Sequence, residues 1–422
     1  MHSTTLKYDL DELTITLPDS QYVQTIMPHP HQIAIISKVE LDSFVLQNLL
    51  IQKQKSLNNI TVGIVVNDRT RPVPYSNLLP PMLNLLLKNG IPMENICFFI
   101  ANGTHVPDSV DKLSYIPQEI LKSFQFANHD CDERENLRYL GLTQIGTPVW
   151  LNAAFLDCDI KIAVNNIEPH HFAGYSGAAK SVSIGLAARE TITYNHQFLT
   201  HPHATACEFY LNPIRQDVEE IGKMSELDLC LSCVMDEQKN IVSVHFGSPD
   251  SVIQSAIKIV NKLYAVEISS EDQFDLVIAS AGGFPKDINL YQAQKALTNA
   301  ARITKTGGKV LLMAACREGT GSTGYENYIS KMKNPQAVMD DFSKQAFVIG
   351  PHKALQFAII QQRVHVALYS KMYPDLVRKL LIEPVEKIEN WIKLACQTHL
   401  NPRIAILPNA VVTIPILKWE DK

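Results

Sequence analysis

The chain has 422 residues, 46% of them hydrophobic and 19% charged, with 18 glycines, 23 prolines and a formal net charge of −5. That length suggests two or three domains with real cores, and the composition excludes a disordered, collagen-like or proline-rich chain. The weak negative charge argues against a general binder of nucleic acid or anionic membrane, which needs a basic surface, but leaves room for a local cationic pocket.

The opening MHSTTLKYDLDELTITL lacks a basic start followed by an apolar core, and no apolar run reaches about 18 residues. No signal peptide and no membrane span are therefore expected. The eight cysteines, at 97, 131, 158, 207, 230, 233, 316 and 396, are scattered. They read as reduced thiols, and a cytoplasmic enzyme is the expectation.

In chain order, TVGIVVND (61–68) reads as a buried strand, and SNLLPPMLNLLLKNG (76–90) as a helix with Asn-Gly past its end. NICFFIAN (95–102) and IKIAVNN (160–166) read as further strands. LDLCLSCVMD is also strand-like; Cys230 and Cys233, three apart, would then point to opposite faces as core thiols. SVIQSAIKIVNKLYAVEI (251–268) has helical periodicity and gives way to the polar SSEDQ. A fresh series starts with the strand FDLVIASA (274–281), the helix LYQAQKALTNAARI (290–303) and the strand GKVLLMAA (308–315). RIAILPN (403–409) and AVVTIPIL (410–417) are the last strand-like stretches. Buried strands alternating with helices indicate an α/β fold with largely parallel sheets. The expected domains are 1–268 and 274–407.

Three strands of the first domain run into chemistry-bearing residues. These are Asp68-Arg69-Thr70-Arg71-Pro72, Gly103-Thr104-His105 and Glu168-Pro169-His170-His171. In open α/β sheets ligands bind at the carboxyl ends of strands, so the three are expected to converge. In Gly174-Tyr175-Ser176-Gly177-Ala178-Ala179-Lys180-Ser181, small residues surround a lysine. Such a lysine could hold a phosphate, act as a nucleophile, or sit in a flexible turn; the Walker ending is absent. His170, His171, His196, His201 and His203, with Cys207 nearby, raise a metal reading, although no HExxH spacing occurs.

In the second domain, Gly282-Gly283-Phe284-Pro285-Lys286-Asp287 leads to Asn289 as a helix cap, with Gln292 and Lys295 on one helical face. Cys316 to Ser322 follows the next strand in the same way. Gly350-Pro351-His352-Lys353 reads as an ordinary surface turn.

This ordered set resembles the nickel-pincer-nucleotide lactate racemase family. The resemblance is carried by Asp68 to Pro72, Gly103-Thr104-His105, His170 through Lys180, Asn195-His196, and Tyr291-Gln292 with Lys295. It implies two α/β domains with the site in the cleft between them, and a C-terminal tail, here 408–422, that returns to the first domain. It implies a nickel-bearing pyridinium mononucleotide with two sulfur substituents, tethered at Lys180 and ligated through nickel by His196. Asp68, Arg69, Thr70, Arg71, Gln292 and Lys295 would hold that cofactor. His105 and His170 would be the acid/base pair. Arg71, Tyr291 and Lys295 are the candidates for gripping a substrate carboxylate.

The implied activity is racemisation or epimerisation of a small 2-hydroxy acid by hydride transfer, with cofactor-building enzymes as partners. Phe357 is the candidate aromatic residue beside the substrate. The sequence Gly177-Ala178-Ala179 departs from the Gly-Gly that the resemblance implies for many members here, so the extra methyls are expected to alter cofactor clearance. Two other readings compete: a zinc hydrolase or lyase built on His105, His170 and His196, and a non-catalytic carrier of cofactor or hydroxy acid.

Overall fold

The computed structural model describes residues 2–17, 22–28, 34–107, 113–344, 352–397 and 401–418. The chain divides into two compact units, His31–Lys262 and Met1–Pro30 with Leu263–Lys422. Both are α/β, as the alternation of strands and helices implies.

The His31–Lys262 unit is built on a six-stranded sheet ordered Ile241–Gly247, Leu229–Met235, Ile160–Asn166, Val62–Asn67, Ile96–Ala101, Gln125–Asn128. All neighbours are parallel except the first pair. Val62–Asn67 is buried at every position because both faces of the sheet are covered. One face packs Val62, Ile64 and Val66 against Leu78, Leu79, Met82 and Leu86 of the helix Tyr75–Lys88. Each such aliphatic side chain removed from water contributes roughly 1.5–3 kcal/mol. On the other face the packing is close enough that a Cβ on Gly63 would lie 2.9 Å from Cys158 Sγ. The next strand in sequence, Ile96–Ala101, lies on one side of Val62–Asn67, and Ile160–Asn166 lies on the other. The chain order therefore reverses here, and the carboxyl ends of these strands open a crevice.

The other unit has an all-parallel sheet ordered Glu383–Pro384, His365–Tyr369, Thr304–Met313, Phe274–Ser280, Arg403–Leu407, Tyr22–Thr25. The helix Leu290–Ile303 buries Leu290, Ala293, Ala296, Leu297 and Ala300 against it.

Several sequence expectations are corrected. The first 30 residues do not belong with the first domain. His2–Tyr8 and Asp11–Leu17 form an antiparallel hairpin whose apolar face, Leu6, Tyr8, Ile15 and Leu17, packs on Leu276, Ile278, Leu311 and Met313. Tyr22–Thr25 then extends the second sheet beside Arg403–Leu407. The helix expected over 251–268 runs Pro249–Tyr264, and Ala265–Ser269 is a strand. That strand pairs with Ile414–Lys418, so the tail to residue 418 stays with the Leu263–Lys422 unit rather than returning to the first. Residues 419–422 lie outside the described residues, and the strand expected over 410–417 begins only at Ile414. Among the described residues, no helix is long and apolar enough to cross a membrane.

Candidate active site

The carboxyl ends of Val62–Asn67, Ile96–Ala101 and Ile160–Asn166 lead directly into the residues singled out by sequence. Asp68 is buried at the first of them. Its Oδ2 lies 2.5 Å from His105 Nδ1, and its Oδ1 accepts a hydrogen bond from Thr70 Oγ1 at 2.8 Å. Burial opposes ionisation of Asp68, but the hydrogen bonds from His105 and Thr70 outweigh it and hold the carboxyl below its ordinary range. With Nδ1 turned to a carboxylate, the neutral His105 ring carries its lone pair on Nε2. His105 is half exposed.

His170 is the opposite case. It is buried at 7% exposure, and the Ala173 amide donates to its Nδ1 at 3.2 Å, so the neutral ring holds its proton on Nε2. Burial first, then the charges of Lys180, His171, Arg71 and His196, push its pKa well below the usual histidine value. His170 stacks on His171 at 4.8 Å and meets Phe172 edge-on at 4.6 Å. Phe172 in turn packs on His196 at 4.9 Å.

His196 ends the helix Arg189–His196. Its Nδ1 lies 3.0 Å from Asn195 Oδ1, and the Asn195 amide is fixed by Asp217 Oδ2 at 2.8 Å and by the Ile214 carbonyl at 3.2 Å. With Nδ1 donating to Asn195, Nε2 is the ring atom that would meet a metal, and these outer partners are of the kind that orient ligating histidines.

Lys180 follows a tight turn and is half-buried. Burial above all, then the positive charges of Arg71 and Arg215, with Glu168 opposing, bring its pKa down to about 7. Arg71 and Arg69 are exposed on the Asp68 loop. Arg71, Lys180 and His170 thus oppose one another electrostatically, and a bound anion would relieve that repulsion. The donor set fits a phosphate-bearing cofactor that also offers a group to an amine and a metal to an imidazole.

The methyls of Gly177-Ala178-Ala179 do not bear on clearance as expected. Ala178 and Ala179 are 0% and 1% exposed, and a Cβ on Gly222 would meet the Ala179 methyl at 2.6 Å. They pack into the protein behind the turn. The zinc trio is not assembled either: among the described residues, the group whose ligand atoms gather within 4.8 Å is Asp130, Cys131 and Asp132. Cys230 and Cys233 are core thiols on one strand, both pushed up by burial.

Tyr291, Gln292 and Lys295 lie in the other unit and form a group of their own. Asn289 caps the helix Leu290–Ile303 by accepting from the Gln292 amide at 3.0 Å, as its sequence position implies. Lys295 Nζ reaches Gln292 Oε1 at 3.4 Å. The expected surface turn at Gly350-Pro351-His352-Lys353 is corrected where it can be seen, Gly350 and Pro351 lying outside the described residues. Lys353 is in the helix His352–Gln361 and only 2% exposed. Its Nζ donates to Gln294 Oε1 at 3.0 Å and sits 4.4 Å from the Tyr291 ring centroid. Burial and then Lys295 lower its pKa to about 7. Phe357 is not a substrate contact: it is 1% exposed in the core and stacks on Tyr325.

Sequence reading missed Asn165, Arg215 and Lys353. Adjacent amides at the end of an apolar strand were the signal for Asn165. For Arg215 it was an i,i+4 Arg–Glu pair placed on the apolar side of a helix.

Comparison with known proteins identifies the family. The family model "Lactate racemase N-terminal domain" matches residues 8–207, and "Lactate racemase C-terminal domain" matches residues 269–415. A lactate racemase of Thermoanaerobacterium thermosaccharolyticum is 27% identical over 98% of this chain and 99% of its own length. One of Lactiplantibacillus plantarum is 26% identical over 97% and 98% respectively. The solved structure of the Thermoanaerobacterium lactate racemase apoprotein superposes with a TM-score of 0.84 at 25% identity, covering 98% of this chain and 100% of that one. A Thermotoga maritima protein shares the fold at a TM-score of 0.62 and 17% identity, over 90% of this chain and 99% of its own. The two family models take in most of the chain, and the chain belongs to the lactate racemase family, enzymes of the isomerase class.

Proposed function

We propose that this enzyme racemises lactate or a closely related 2-hydroxy acid, using a nickel-pincer nucleotide attached at Lys180 and ligated at His196. Lys180 is the observation that carries the reading. An amine with a pKa of about 7 is substantially neutral, and so nucleophilic, at physiological pH. It stands among cationic groups, Arg71 and Arg215, that favour an anionic partner.

When bound, the nucleotide supplies a reversible acceptor for the hydrogen on the substrate's α carbon, which is too weak an acid to leave as a proton. The chain's own residues handle the hydroxyl. His105, oriented by Asp68, offers a basic Nε2 to the hydroxyl proton, and the imidazolium formed is stabilised by the carboxylate at 2.5 Å. His170, kept neutral by burial, presents Nε2–H to the oxygen on its side. The proton taken up by His105 returns to the oxygen from its imidazolium once the hydrogen is back on carbon, while His170 Nε2–H holds that oxygen by a hydrogen bond. Arg71, Tyr291 and Lys295 are the candidates for gripping the substrate carboxylate. Arg69, Thr70 and Gln292 are the remaining cofactor contacts. Loading requires cofactor-building enzymes as partners.

The test is production together with those enzymes, followed by chiral analysis of lactate after incubation with either enantiomer. Conversion of each into the other, lost in His105→Ala and His170→Ala proteins that remain folded, supports the reading. No interconversion by protein carrying nickel and an adduct would overturn the choice of substrate.

A further inference from the structure

The turn before Lys180 is strained and has its own scaffold. Gly177 and Ala178 both have left-handed backbone, at φ +70 and φ +47. Glycine takes that conformation without penalty; alanine does not. A Cβ on Gly177 would come within 2.4 Å of the Asn166 carbonyl oxygen, so the turn presses against the end of the strand Ile160–Asn166.

One side chain clamps Ala178 from both sides. Its amide donates to Asn165 Oδ1 at 3.0 Å, and its carbonyl accepts from Asn165 Nδ2 at 3.1 Å. Asn165 is fixed in turn by Ser232 Oγ, which donates to Oδ1 at 2.7 Å, and by Ser181 Oγ, which accepts from Nδ2 at 3.0 Å. Ser181 Oγ then donates to Asn67 Oδ1 at 2.8 Å. On the opposite side Arg215 Nη1 donates to the Tyr175 carbonyl at 2.9 Å, and the guanidinium reaches the Gly177 carbonyl at 3.5 Å. Arg215 is wholly buried and paired with Glu219 one helical turn on, and its Nε has no hydrogen-bond partner. A buried ion pair is weak evidence for stability, since well-packed apolar residues commonly serve as well. Its geometry here points to the turn.

We propose that Asn165 and Arg215 are positioning residues that hold the Gly177-Ala178 turn in its strained form and thereby present the Lys180 amine as an acyl acceptor. The proposal rests on reading Lys180 as the attachment point. In the step it serves, the amine lone pair attacks the carbon of an activated acyl or thioacyl group. The nitrogen–carbon bond forms, the leaving group departs with its bonding pair, and the surplus proton of the amine passes to solvent. The charged and titratable groups facing Lys180 are Arg71, Arg215, Glu168 and the neutral His170. Arg215 therefore acts twice, through the turn and through its charge. At pH 7.5, an amine titrating near 7 is neutral several hundredfold more often than an ordinary lysine near about 10.4.

The apoprotein suffices for the test. It is treated briefly with N-hydroxysuccinimidyl acetate between pH 6 and 10, and acetylation of Lys180 is followed by peptide mapping, with the exposed Lys122 as internal standard. Wild type is expected to show a Lys180 midpoint near pH 7. Asn165→Ala and the double variant R215M/E219M, which removes the buried pair without stranding a charge, are expected to move that midpoint up by at least one pH unit, cutting the rate at pH 7 about fivefold or more. Arg215→Lys, which keeps the charge but not the fork, is expected to fall between. Circular dichroism and thermal unfolding identify the variants that remain folded, and Arg215→Lys is the mildest of them. A wild-type midpoint near 10 overturns the proposal, as does an unshifted midpoint in folded variants. Neither result depends on racemisation; an absent adduct in cofactor-loaded protein would instead overturn the attachment reading.

Discussion

Asp68→Asn isolates the contribution of the carboxylate to His105. The substitution keeps size and shape, and the Thr70 hydroxyl can still bond the amide oxygen. What it removes is the charge behind His105 Nδ1, 2.5 Å away. Hydrogen bonds to charged groups contribute about 1.5–3 kcal/mol. The half-exposed imidazole places this one toward the lower end, since solvent screens part of the interaction. A loss of ~1.5–2 kcal/mol in the step that transfers the hydroxyl proton lowers kcat about ten- to thirtyfold. KM should change little, because the carboxylate faces the imidazole and not the substrate. The assay is initial-rate racemisation of each lactate enantiomer by loaded enzyme, with circular dichroism to confirm the fold. A kcat within about twofold of wild type in both directions would refute the argument that Asp68 makes His105 a base.

Other consequences follow from the same geometry. The lowered pKa of Asp68 means that its ionised form is favoured by folding. Its contribution is therefore present above the ordinary value of 3.8 and is lost as pH falls through the lower folded value. In urea unfolding, the gap between wild type and Asp68→Asn should accordingly narrow as pH drops from 6 to 3; a gap that widens would contradict the assignment. Phe357→Ala should cost about 3–5 kcal/mol of stability as a core truncation while leaving the preference among hydroxy acids unchanged, as seen in denaturation and competition assays. Gly177→Ala, which adds a Cβ 2.4 Å from a backbone oxygen, should lower the melting temperature and the yield of Lys180 adduct together. Racemisation in deuterated water should leave the α hydrogen largely on carbon by NMR, whereas full exchange with solvent would point to proton abstraction instead.

Much of the first unit was legible from sequence because its signals are local. Three apolar strands that each end in polar residues specify a crevice once parallel pairing is granted, and Asp68 and His105 do meet there. The second unit was legible where Asn289 caps its helix. Long-range pairing was not. The hairpin of Leu6, Tyr8, Ile15 and Leu17 alternates as a strand should, but its partners lie more than 250 residues away, and nothing in residues 1–30 names them. The strand Ala265–Ser269 was hidden because Val266 and Ile268 continue the apolar period of the helix before it. Lys353 looked like part of a turn because Gly-Pro precedes it, yet a lysine stem can be buried when its amine finds a carbonyl oxygen and an aromatic face. Phe357 was a candidate substrate contact on residue type alone, and its stacking partner Tyr325 lies 32 residues away in sequence.

The proposed chemistry stands on Lys180 as the residue that carries the cofactor. Intact mass and peptide mapping, on protein produced together with the cofactor-building enzymes, test it most directly, with nickel quantified in the same sample. The expected result is an adduct confined to the Lys180 peptide and nickel that is lost in His196→Ala. An unmodified Lys180, under conditions that load another member of the family, would contradict it.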